Sequence, residues 1–159
     1  MKTLKVLFAV LLAVSVLAGC SLAPETVGVT EDSAQRAVTT YTETFANCTK
    51  TGTSYVSGSF VGVGGWTWNY VYAAWSGGDI NGKTPVLAKG KSPAASVYTT
   101  VNNGVGTVSF KVKKPYSTAV SLLLKANGTT IATITHSSTT AATKGPFTVN
   151  RTGSVKLEI

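Results

Sequence analysis

The sequence predicts an all-β chain folded as a two-sheet antiparallel β-sandwich of jelly-roll-like form, and three observations carry that expectation. Short runs rich in Thr, Val and Ser recur at close spacing, punctuated by 16 glycines, while few windows combine a 3.6-residue period with good helix formers. Residues Thr107 to Lys113 alternate cleanly, with Val108, Phe110 and Val112 pointing one way and Thr107, Ser109, Lys111 and Lys113 the other. Asn127-Gly128 lies between two β-rich runs, and both residues tolerate the positive φ that a type I′ hairpin turn demands.

Taken in order, the chain opens with lysines at Lys2 and Lys5, an apolar run from Val6 to Leu17 and small residues at Ala18 and Gly19. This is the layout of a secretory signal, and the run is short for a membrane-spanning helix. Leu17-Ala18-Gly19-Cys20 resembles the lipobox of bacterial lipoproteins. That resemblance implies cleavage before Cys20, diacylglycerol on its sulfur and a palmitate-type acyl chain on its amine. Two or more acyl chains hold a protein firmly at a membrane, since each buried methylene contributes about 0.8 kcal/mol. Ser21 follows the cysteine where Asp would mark retention in the inner membrane, so the expected place is the cell envelope, and the outer membrane in a Gram-negative cell.

Residues 20–38 contain Pro24 and no period that could bury a face, so they read as a flexible tether of roughly 25 Å. From residue 39 to 159 the texture is that of short strands. Thr40 to Ala46 is the first, and residues 50–53 turn. Gly62, Gly64 and Gly65 then suggest a tight turn or bulge feeding a strand from Trp66 to Ala73. Pro85 to Lys89, Ser96 to Val101, Thr107 to Lys113, Ala119 to Ala126 and Thr129 to Thr135 follow, then a polar loop over residues 137–145. Phe147 to Asn150 and Ser154 to Ile159 close a single domain.

Charge and cysteine count narrow the chemistry. Lys and Arg outnumber Asp and Glu by 14 to 6, an excess that suits an anionic partner or a solubilising surface. The lysines at 111, 113 and 114, and at 83, 89 and 91, are not interleaved with aromatics, so nucleic acid is not an expected partner. With Cys20 acylated, Cys48 has no intramolecular disulfide partner and reads as a small buried hydrophobe. His136 has no orienting Asn or Asp beside it, and no metal-binding, phosphate-loop or nucleophile-elbow motif occurs. Outside the tether and the terminal strand, Glu43 and Asp79 are the only pair of acids available for glycoside hydrolysis. The same two could serve a structural calcium with backbone carbonyls, but the expectation is no cofactor, no metal and no catalysis.

The segments Glu43-Thr44-Phe45, Gly52 to Tyr55, Gly58-Ser59-Phe60, Gly65-Trp66-Thr67-Trp68, Ile80 to Lys83, Phe147 to Asn150 and Gly153 to Ile159 appear in a distinctive order. In that order the chain resembles the jelly-roll-like module found at the C-terminus of secreted bacterial multidomain proteins, beside nuclease, lamin-tail or Ig-like domains. The resemblance implies a non-catalytic module that binds or anchors. The chain departs from the pattern at Asn81, where Asp is usual, in the short stretch between Asn150 and Gly153, and in having no enzyme domain ahead of it.

The stretch Tyr55 to Trp75 holds all three tryptophans and half of the tyrosines. Trp66, Trp68, Tyr70 and Tyr72 occupy alternate positions and should share one face, with Thr67, Asn69, Val71 and Ala73 on the other. Such a row is either the inner layer of a core or a platform for a sugar ring. The candidate ligand residues are Trp66, Tyr70, Tyr72 and Trp75 for stacking and Asn69 and Asp79 for hydroxyls, with Trp68 assigned to the core. The expected function is therefore a non-catalytic, lipid-anchored binding module for an extracellular polysaccharide or another envelope component. The alternative is a structural or protein–protein interaction lipoprotein whose stripe is wholly internal.

Overall fold

The structure, a computed structural model, describes residues 4–7, 40–75, 80 and 83–159, and of residues 4–7 only the backbone. Cys20, the rest of the expected leader, the tether and Asp79 lie outside the described residues. Among the described residues there are strands and no helix. The strands are β1 (Leu4–Leu7), β2 (Thr40–Glu43), β3 (Val56–Val61), β4 (Thr67–Ala74), β5 (Val86–Leu87), β6 (Ser96–Val101), β7 (Val105–Val112), β8 (Val120–Ala126), β9 (Thr129–His136), β10 (Ala142–Arg151) and β11 (Val155–Glu158).

They form two antiparallel sheets packed face to face as a β-sandwich. One has the order β10-β7-β1-β2, and the other β3-β4-β6-β11-β8-β9, with β5 added beside β4. β1 falls within the expected leader and pairs with both β2 and β7. Most predicted strands form near their expected bounds. The expected loop over residues 137–145 is shorter than its polar composition suggests: Ala142, Thr143 and Lys144 pair with Val112, Lys111 and Phe110, so β10 begins at Ala142. β3 was hidden in sequence because its two serines and Gly58 give no alternating signal, and its pairing with β4 is what makes it a strand.

The core is the alternation of inward residues from both sheets. Val108, Phe110 and Val112 of β7 face Trp68 and Tyr70 of β4, Val97 and Val101 of β6, Leu124 of β8 and Val155 and Leu157 of β11, all buried. The predicted Asn127-Gly128 turn forms with φ of 50° and 79°. Asn127 also accepts the Lys156 N–H at its side-chain oxygen (2.7 Å) and donates its own N–H to the Lys156 carbonyl (2.9 Å). The turn thereby pins the β8–β9 hairpin to β11.

One carboxylate is buried in this apolar setting. Glu43, at the end of β2, is 3% exposed and accepts the N–H groups of Phe45 (2.6 Å) and Val63 (3.0 Å). It joins the first sheet to the β3–β4 turn, and its hydrogen bonds offset the penalty of burying a charged group. The space beside it exists because residue 62 is glycine: a Cβ there would collide with the Glu43 carboxylate and the Trp68 ring. Gly62→Ala is therefore expected to lower stability by about 3 kcal/mol, read as a shifted urea midpoint with unchanged slope. A change below about 0.5 kcal/mol would contradict this account of the turn.

Candidate functional site

The aromatic strand β4 is held between β3 and β6, with Trp68 opposite Phe60 on one side and Thr99 on the other. Trp68 and Tyr70 point into the sandwich as period two requires, and each is 1% exposed. The alternation then breaks. The register between β3 and β4 shifts between Val56 and Gly58, and Tyr72 adopts φ of 47°. A bulge of this kind changes which face the following side chains take. Ala73, expected on the outer face, is fully buried, while Tyr72 is half-buried with the Lys91 ammonium 5.6 Å from its ring centroid.

Trp75 lies past the end of β4 and turns back into the core. Its N–H donates to the Gly52 carbonyl (3.0 Å), and its ring meets Tyr70 edge-on with centroids 5.1 Å apart. Phe60 packs against Trp75 at 5.8 Å, and Phe45 against Trp68 at 5.2 Å, both near perpendicular. Edge-to-face contacts suit the ring quadrupoles and contribute beyond area burial. Among the described residues the side-chain N–H groups of Trp68 and Trp75 and the Tyr70 hydroxyl find no hydrogen-bond partner, so these residues act here as apolar bodies. Gly58 allows the close approach of the Tyr70 ring, since a Cβ there would lie 2.6 Å from the phenol oxygen.

The expected sugar platform is corrected by this packing. Tyr70 and Trp75 present no ring face to solvent, because both serve as core, as Trp68 does. Asn69 is half-buried on the opposite face of β4, and Asp79 lies outside the described residues. Trp66 is half-buried at the end of the sandwich, 4.6 Å from the Tyr41 ring. Trp66 and Tyr72 thus keep partial exposure, but the bulge separates them from a common stacking row. Sequence reasoning missed Phe45 and Phe60 as members of the cluster: Phe45 sits in a turn at φ of 55°, and Phe60 on a strand that was not expected.

The remaining candidates are also placed. Both oxygens of Glu43 are engaged by backbone donors, which removes it from service as a free acid or a ready cation ligand. Cys48 is buried, as expected, and its carbonyl accepts the Lys83 ammonium (2.7 Å), which also reaches the Lys50 carbonyl (3.2 Å). His136 bonds through Nε2 to the Thr140 carbonyl (2.9 Å). Among the described residues no group of three or more His, Cys, Asp or Glu side chains could hold a metal.

Among the described residues, four of the six exposed large hydrophobic side chains lie on or beside β3. Tyr55, Val56, Val61 and Val63 are 40%, 39%, 57% and 53% exposed. Among the described residues β3 is an edge strand, and Gly62 N–H donates to the Trp66 carbonyl (2.8 Å) at its turn. Hydrogen-bonded pairs alternate in an antiparallel ladder, so Phe60 and Gly58 also bond to β4. Ser59 and Val61 therefore direct their N–H and C=O groups away from the sheet. No charged residue and no proline occurs between Thr51 and Gly78. The β10 edge, by contrast, carries Lys144, Pro146 and Arg151 and two register shifts, and the β9 edge has a register shift where it meets Leu124 and Lys125 of β8. Charge, proline and bulges keep an edge from pairing; β3 carries no charge and no proline, and the one register shift of its ladder lies before Gly58, clear of Ser59 and Val61.

Compared with protein-family models, curated proteins and solved structures, the chain matches none.

Burial raises the Tyr70 phenol above its ordinary value of 10.0, with nearby Cys48 adding to the effect. A folded-state value above the unfolded one means that Tyr70 favours folding below about pH 10 and that this contribution is lost as pH rises through the folded value. A near-ultraviolet titration should show a phenol that ionises above the ordinary tyrosine range, and Tyr70→Phe should remove that late step. Trp75→Ala is expected to lower stability by about 3–5 kcal/mol, as for a core aromatic; a surface-like loss below about 1 kcal/mol would return Trp75 to the candidate binding residues.

Proposed function

We propose that the chain is a non-catalytic, lipid-anchored envelope module that works through protein–protein contact along the β3 edge. The observation that carries this reading is the bare strand itself: outward backbone groups at Ser59 and Val61, flanked by exposed valines and free of charge. An extended partner segment added to such an edge gains main-chain hydrogen bonds, and side-chain pockets supply selectivity. Anchoring through acylated Cys20 is supported by the leader pattern, and it would hold the edge at the membrane surface by the 20–38 tether. The absence of catalysis is supported by the engagement of Glu43, the one described member of the Glu43 and Asp79 pair. The likeness to the bacterial C-terminal jelly-roll-like module points the same way and rests on segment order in the sequence.

A second reading, binding of a polysaccharide, keeps one specific support: the part of Trp66 that remains exposed beside Tyr41. Asn69 and Tyr72 stand apart from it, so a sugar would meet a single tryptophan and not a row.

Cross-linked partners should be recovered with the native acylated chain from its own envelope, and Val61→Lys and Ser59→Pro should lower their recovery at least about tenfold while circular dichroism is unchanged. Trp66→Ala should leave recovery intact. If both edge variants retain full recovery, the edge assignment fails; a glycan-array profile abolished by Trp66→Ala would instead establish the second reading. Mass spectrometry of the native N-terminus should find Cys20 first and acylated, and an unprocessed chain would remove the anchor.

A further inference from the structure

An apolar cleft of about 150 Å³ opens between the two sheets, away from the β3 edge, with Trp68, Phe110 and Leu122 in its lining. Its geometry follows from β7. Phe110, Lys111, Val112 and Lys113 are consecutive and all line it, although alternate side chains of a strand leave on opposite faces. Such a set meets one cleft only at the rim of a strand. On one side of β7, β1, which falls within the expected leader, pairs no further than Ser109, and β10 covers the opposite side, so with or without the leader the described residues add no strand beyond Ser109 there. Phe110 and Val112 point inward and are buried, while Lys111, exposed, and Lys113, half-buried, join the lining at that rim.

Among the described residues, Lys111 and Lys113 carry the only charged side chains of the lining. The polar remainder is slight: the Thr84 hydroxyl already accepts the Ile80 N–H at 3.0 Å. A cavity of about this size lined by apolar side chains accommodates a benzene-sized body. Two lysines among the lining residues favour a carboxylate on that body over a neutral group.

We propose that this cleft is a binding site for a small amphipathic monocarboxylate with an apolar body of about six carbons, the body against Phe110 and Leu122 and the carboxylate at Lys111 and Lys113. The site is separate from the β3 edge, so neither assignment depends on the other. No covalent step is involved. The carboxylate keeps contact with water, and rising salt weakens its attraction to the lysines without affecting the apolar contact.

The test uses the full chain carrying Cys20→Ser, which bears no acyl group, with hexanoate as probe and 1-hexanol as its neutral counterpart, followed by chemical-shift perturbation. Hexanoate is expected to saturate one site, shifting resonances of Phe110, Leu122 and the Trp68 indole, and to bind about tenfold more tightly than 1-hexanol at low salt. The double variant Lys111→Gln, Lys113→Gln should weaken hexanoate about tenfold and leave 1-hexanol unchanged, the latter also reporting that the cleft is intact. Leu122→Trp should block both. Equal binding of acid and alcohol, an unaffected double variant, or shifts away from the lining would each overturn the proposal. So would no saturation by either probe, the outcome expected if a segment of the chain itself fills the cleft. Loss of the site would leave β3-dependent partner recovery untouched, so the two assignments fail separately.

Discussion

Burial of one aromatic knot between the sheets is the contact on which the rest of the sandwich depends. Phe45, Phe60, Trp68, Tyr70 and Trp75 meet largely edge to face, with centroid distances of 5.1 to 6.5 Å. Each such ring removes on the order of 150–250 Å² from water. In a domain of this size that is a large share of the apolar area available. Among the described residues three side-chain polar atoms of these rings find no partner, a penalty of about 1–3 kcal/mol each that the packing must exceed. The knot also draws its members from separate parts of the chain: the turn after β2, the edge strand β3, the central strand β4 and the residue that follows it.

Local backbone irregularity is the means by which the knot closes. Phe45 and Tyr72 both hold positive φ, which non-glycine residues seldom adopt. The first turns a phenylalanine inward two residues after Glu43; the second rotates Tyr72 out and allows Ala73, Ala74 and Trp75 to be buried in succession. Glu43 supports the first of these by accepting the Phe45 N–H, and it holds the β3–β4 turn through Val63. Strain at such positions persists only when surrounding contacts determine it. Here those contacts are the rings themselves.

What is left outside the knot is where recognition has room. With the rings withdrawn, the accessible apolar ground moves to β3 and to the rim of β7, two places that have little in common chemically. β3 offers uncharged backbone and small side chains, suited to an added strand. The β7 rim offers an apolar cleft beside two ammonium groups, suited to a small anion. The same alternation that buries Val108, Phe110 and Val112 places Lys111 outward, so a pattern that reads as a simple half-wet strand also lines the cleft. The basic excess of the chain acquires a local role there that its bulk value does not convey.

By itself the sequence determined the sandwich class, the Asn127-Gly128 hairpin and the wet and dry faces of β7, because each follows from short-range periodicity or from φ preferences of one or two residues, and the burial of Cys48, because a thiol without a disulfide partner packs as a small hydrophobe. It also narrowed the aromatic stretch to core or platform. Only the tertiary structure decided between them for Tyr70 and Trp75, since a ring's exposure depends on whether a second sheet lies over it. The bulge at Tyr72 and the fate of Ala73 were equally out of reach: a one-residue register shift leaves no mark in composition, yet it exchanges the faces of every side chain beyond it. β3 and the start of β10 became strands through partners distant in sequence, and the cleft exists only where two sheets separate.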